Sequence, residues 1–232
     1  MQLSILSLPL VAALVAAIPN APGAKITPAP FANKRDLQQI TVTIVNSMGE
    51  DLSTSVASNG GDATLVSGGG TGTLAANSQA TIVAPQNWNG NVAFGLAKYS
   101  EMDVPSLIEP GLTQVSGTYM MDIDVSYVNG YTVPITCTCN DDNSFLSGCS
   151  TDLFSVGTCG QDGETDIQAA GACQNPTNEA SGSATSASPF FAPCAGKAYT
   201  FPNDNGANSE GKCTSGAATC CVGTSANGCP ST

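Results

Sequence analysis

Ile40-Thr41-Val42-Thr43-Ile44-Val45 places Ile40, Val42 and Ile44 on one side of an extended chain, with Thr41, Thr43 and Val45 on the other. That period of two, in β-branched residues, is the pattern of a strand with one buried face. Outward from it the same signature returns in Ala80-Thr81-Ile82-Val83-Ala84, in Val92-Ala93-Phe94-Gly95-Leu96 and from Tyr119 through Val128. Gly, Asn and Pro interrupt these runs at short intervals, which predicts an all-β chain folded as an antiparallel sandwich. Ser67-Gly68-Gly69-Gly70-Thr71-Gly72 is Gly-rich but lacks the Lys-Ser/Thr ending of a phosphate loop, so it reads as a turn.

Composition narrows the function. The 232 residues carry 6 Lys+Arg against 18 Asp+Glu and no His, for a net charge of −12 and a pI near 4.1. Such a polyanion has no cationic surface with which to hold nucleic acid. Without histidine there is no Ser-His-Asp triad, no Cys-His pair and no His-ligated zinc. With 41% hydrophobic and 10% charged residues, the chain is not of the disordered class. The length suits one large β domain, or one domain with an appendage.

The apolar run from Leu3 to Ile18 is short for a membrane span and ends in small residues, so residues 1–21 read as a secretory signal peptide. A Pro-rich stretch to residue 35 follows and ends in Lys34-Arg35. That pair resembles a dibasic propeptide site; two ordinary surface cations are the other reading. Cutting there removes Lys25, Lys34 and Arg35, leaving three lysines against eighteen acids, a balance of −15 from Asp36 onward. Ten cysteines, all from Cys137 on, then imply five disulfides in an oxidising compartment, and no metal site. The first hundred mature residues hold together by core burial alone. Residues 176–189 are rich in Ser, Ala and Thr and read as an exposed loop.

Three segments resemble the thaumatin-like (osmotin-like) family. Asp124-Val125-Ser126-Tyr127-Val128-Asn129-Gly130-Tyr131-Thr132-Val133-Pro134 is similar to a run of that family. So is Phe190-Phe191 with Cys194, followed by Ala198-Tyr199-Thr200-Phe201-Pro202-Asn203-Asp204-Asn205. A weaker third likeness joins Ile40–Ser47 to the stretch from Gly72-Thr73-Leu74 through Pro85. In the family's order, they cover nearly all of residues 38–221. The resemblance implies a sandwich of about eleven strands over 36–136 and 190–222, a disulfide-rich loop region over 137–189, and a cleft between them. It also implies Cys149 with Cys194, Cys159 with Cys173, and Cys213 with Cys137 or Cys139. The pairing of the remaining cysteines stays open, because Met48 stands where the family has a cysteine. Vicinal Cys220 and Cys221 do not suit a bond to each other.

The family's acidic cleft binds β-1,3-glucan, and some members hydrolyse it slowly. Carried over residue by residue, Glu109 becomes the candidate acid and Asp124 its partner carboxylate, with Asp204 as a further acid. Asn129 replaces one Asp of the family set, and the arginine position near Val92 or Leu96 holds no cation. A glycosidase needs one protonated and one ionised carboxyl; two missing members leave catalysis open, at most a weak endo-β-1,3-glucanase. Trp88, in Gln86-Asn87-Trp88-Asn89-Gly90, is a candidate for stacking on a sugar, or else a loop anchor. The expectation is a secreted monomer without a cofactor that binds cell-wall β-1,3-glucan. The alternative is a non-catalytic, effector-type interaction protein that uses the sandwich as a scaffold.

Overall fold

The computed structural model describes residues 37–58, 72–99, 101–178, 180 and 182–232. The signal peptide, the propeptide with Lys34-Arg35, the start at Asp36 and most of the Gly-rich turn lie outside these residues. The first sheet has the order β10(Phe145–Cys149), β9(Ile135–Cys139), β13(Ala217–Val222), β1(Gln39–Asn46), β4(Gln79–Pro85). The second runs β3(Gly72–Leu74), β2(Leu52–Ser58), β5(Gly90–Leu96), β6(Ser106–Val115), β7(Thr118–Ser126). A third, small sheet joins β11(Thr165–Ile167), β12(Ala172–Gln174) and β8(Gly130–Tyr131). A single helical turn, α1(Leu153–Val156), is capped by Asp152, whose side chain accepts from the Phe154 amide.

The opening hexapeptide forms β1. Ile40, Val42 and Ile44 are 0–2% exposed and belong to one apolar core with Ile82 of β4, Phe94 of β5, Ile108 of β6, and Ile123 and Val125 of β7. Both large sheets thus bury their inward positions against each other, as a sandwich does. The pairing is not wholly antiparallel. β1 runs parallel to β13, with Thr41 opposite Ala217 and Asn46 opposite Val222.

Residues 137–149 depart from the expected boundaries. The stretch assigned by sequence to the loop region from Cys137 on supplies β9 and β10 of the first sheet. Ile135, Cys137 and Cys139 are buried and Cys137 sits opposite Cys220 of β13. Cysteine density had the look of loop, yet here it fills a sheet interior.

Five disulfides close the fold: Cys137–Cys220, Cys139–Cys213, Cys149–Cys194, Cys159–Cys173 and Cys221–Cys229. Successive residues of a strand face opposite sides. Cys220 and Cys221, adjacent on β13, therefore reach different partners. Among the described residues no helix is long and apolar enough to cross a membrane.

Strand β6 explains where the site opens. β5 pairs with it only from Val92↔Ile108 to Phe94↔Ser106, while β7 follows it along its whole length, from Leu107↔Ser126 to Val115↔Thr118. Beyond Ile108, no further β5–β6 ladder pair forms among the described residues. Pro110, which has no N–H to give a ladder, sits in this open stretch. The divergence of β5 from β6 leaves a cleft between them.

Candidate acidic cleft

The cleft encloses about 390 Å³. One wall is the turn between β4 and β5, with Gln86, Asn87 and Asn89; the other is formed by β6 and β7. Glu109 of β6 stands directly opposite Asp124 of β7, and the next pair on that face is Gly111 with Asp122. Opposed residues in an antiparallel pair hold their Cβ atoms about 5 Å apart. Three carboxyl groups therefore crowd one face of one ribbon.

A distant segment fixes two of these acids. The Ser209 amide donates to Asp124 Oδ1 at 3.2 Å and its hydroxyl donates to Asp122 Oδ1 at 3.3 Å. That hydroxyl also accepts from the Ile123 amide at 2.7 Å, and the Gly211 amide donates to Met121 O. Residues 209–211 thus lie along the edge of β7 and hold Ser209 against the acidic face.

Electrostatics then separates the acids. Burial, followed by the neighbouring Asp122 charge, pushes the Asp124 carboxyl up to about 7. The Ser209 amide and the charge of Lys212 oppose the rise without cancelling it. Asp122 is raised as well, chiefly by burial. Tyr199 lies next to β7, where its amide donates to Val125 O at 2.8 Å. Burial and the charges of Asp124, Asp122, Asp204 and Glu109 keep its phenol protonated. Asp124 therefore retains its proton up to near neutral pH.

A carboxyl whose folded value exceeds its unfolded value stabilises the fold in its protonated form. That contribution is complete below the unfolded value of 3.8 and disappears as pH rises through about 7. The melting temperature is therefore expected to fall between pH 4 and pH 8, and Asp124→Asn is expected to flatten that fall. Thermal melts across the range check it; a native melting temperature that rises over the same interval would contradict the assignment.

Three sequence-derived candidates need correcting. Trp88 is 3% exposed, so its ring faces are covered by protein and cannot lie on a sugar. It forms part of the cleft floor, between exposed Asn87 and Asn89. An ideal Cβ at Gly90 would stand 2.8 Å from the Trp88 ring and 2.1 Å from Ala57 O, so the glycine is what admits the ring. Asp204 is buried and closes its own turn: its carboxylate accepts from the Gly196 amide at 3.1 Å and the Thr200 hydroxyl at 2.8 Å. Asn129, half-buried ahead of β8, accepts from the Asn175 amide through its backbone carbonyl. Neither Asp204 nor Asn129 lines the cleft.

Asp122, Ser209 and Lys212 were missed by sequence reasoning. Only Asp122 had a local signal, since two residues separate it from Asp124 on the same face of a strand. No family model matches this chain, and no curated protein matches it. Among solved structures it is similar to the crystal structure of the protein elicitor MoHrip2 from Magnaporthe oryzae, at 16% identity and a TM-score of 0.33. The similarity covers 49% of this chain and 77% of that one.

Proposed function

We propose that this chain is a secreted, monomeric protein of thaumatin-like type whose acidic cleft binds cell-wall β-1,3-glucan. The observation that carries the reading is the pairing of Glu109 with Asp124 across β6 and β7, at a cleft walled by the side-chain amides of Gln86, Asn87 and Asn89. Carboxylates accept from sugar hydroxyls, and amides both donate and accept. Pro110 and Leu112 add apolar surface for the C–H side of a pyranose. The apolar leader sequence and the five disulfides support secretion.

Binding is the principal activity in this account, and slow hydrolysis a subsidiary one. Glycosidic cleavage needs a carboxylic acid to protonate the leaving oxygen and a second carboxylate as nucleophile or base. Asp124 supplies the first, because it holds its proton to near neutral pH. Glu109 is the cross-strand partner. Lys212, outside the cleft lining, opposes the rise at Asp124 only as the smallest of the influences on it. The test is co-sedimentation with insoluble β-1,3-glucan. The native chain is expected in the pellet, and Glu109→Gln and Asp124→Asn variants largely in the supernatant. A native chain left in solution would remove the glucan reading in favour of an interaction scaffold.

A further inference from the structure

A second concavity, which shares no described residue with the acidic cleft, opens at the far end of β5. Gly90 lines the cleft and Leu96 lines this pocket. Along an extended strand that separation is about 20 Å. The pocket encloses about 390 Å³, within the ~300–1,000 Å³ of small-ligand sites.

Its walls are apolar and partly aromatic. Met48 and Leu96 come from the sandwich, and Phe154 from α1. Phe154 is 40% exposed, which is unusual for a ring in an aromatic cluster. Tyr131 and Phe190 hold it at centroid distances of 5.6 and 5.4 Å. The ring is thus fixed in place and still open to a ligand.

The polar groups in the pocket are unbalanced. Asp152 and Asp166 both line it, and among the described residues no lysine or arginine does. Several neighbouring polar groups are already committed. The Thr132 hydroxyl accepts from the Ser106 amide and donates to Phe94 O, and the Thr224 hydroxyl is bonded to Asn227 Oδ1. One Asp152 oxygen caps α1, and Asp166 Oδ2 has a long 3.4 Å contact from the Gln168 amide. Lys98, 5.6 Å from the centre of the pocket-lining Tyr99 ring, is paired with Glu50 at 2.9 Å, so its charge is already engaged. A fixed aromatic face, aliphatic walls and two carboxylates suit a positive charge carried on an apolar body.

We propose that this pocket is a binding site for an organic cation: an ammonium or guanidinium group on an apolar stem, as in a free amine or a basic peptide side chain. The apolar stem lies against Phe154, Leu96 and Met48, and the charged head lies toward Asp152 and Asp166.

The test is backbone-amide NMR of the full folded chain, titrated with phenethylamine, phenethyl alcohol and phenylacetate, which share one apolar body and differ in charge. The amine is expected to shift the amides of Phe154, Gln168 and Gly171, and to bind at least about tenfold more tightly than the alcohol, with phenylacetate weakest. The Asp152→Asn/Asp166→Asn double variant should abolish the amine's advantage. Asparagine caps a helix about as well as aspartate, so α1 should survive. Phe154→Leu, which keeps an apolar side chain there, should weaken the amine and alcohol alike. N-acetyl-arginine amide in a parallel titration separates the sources: shifts at the same amides indicate a basic peptide, and shifts by the amine alone a free amine. Equal binding of all three probes, no shifts at the pocket, or an undiminished preference for the amine in the double variant would overturn the proposal.

Discussion

Removal of both the Cys137–Cys220 and Cys139–Cys213 disulfides is expected to cost about 7 kcal/mol, with the second removal costing more than the first. The bonds are nested, with sequence separations of 83 and 74 residues. While one bond stands, the other closes only a small ring of about nine residues, through 137–139 and 213–220, which by loop entropy is worth roughly 2.5 kcal/mol. With the first gone, the survivor alone closes the long loop, worth about 4.5 kcal/mol. The same bonds tie β9 to β13 and to the segment before it, so the first sheet loses the link between its C-terminal strand and the middle of the chain. Guanidinium unfolding of Cys137→Ala/Cys220→Ala, Cys139→Ala/Cys213→Ala and the fourfold variant measures the effect. Equal, additive losses would show that local packing rather than chain closure is what these bonds supply.

Asn46→Ala is expected to be the most damaging single polar substitution, at about 3–4 kcal/mol. Asn46 is 0% exposed at the end of β1. Its amide nitrogen donates to Glu50 O, Leu74 O and Ala75 O, at 2.8, 3.0 and 3.0 Å. Its oxygen accepts from the Met48 amide at 3.0 Å. One side chain therefore closes the turn that leads out of β1 and fastens it to the end of β3 and the residue after it, across the two sheets. Alanine leaves these backbone groups without their partner, and a buried carbonyl that loses its donor costs more than the bond contributed. Urea unfolding checks it. A loss below about 1 kcal/mol would show that water replaces the amide.

How much of this was legible in the sequence depended on whether the signal was local. Ile40–Val45 declared both a strand and its buried face, and the runs around Ile82, Phe94 and Ile123 did likewise. β6 was silent because Pro110-Gly111 interrupts its middle; those residues are admissible only because β5 has already parted from it. β9 and β10 were read as loop because cysteines there obscured the alternation. The same division holds at the site. Glu109 and Asp124 came from a motif resemblance, and Asp122 was readable two residues away. Ser209 and Lys212 reach the acids from more than eighty residues further on, which no local pattern records. Trp88 misled because its neighbours Asn87 and Asn89 are exposed, and alternation sends the ring between them inward. Asp204 misled because a carboxylate that closes a turn looks, in sequence, like one offered to a ligand.

The most direct measurement of the central claim is calorimetric titration of a β-1,3-linked glucan hexasaccharide into the native chain and into Glu109→Gln and Asp124→Asn. Both substitutions keep side-chain size, and each removes one carboxyl from the cross-strand pair. The account predicts saturable binding to the native chain and a loss of about tenfold or more in each variant, as expected when a hydrogen-bonded carboxylate is removed. No binding by the native chain, or equal binding by all three, would contradict it.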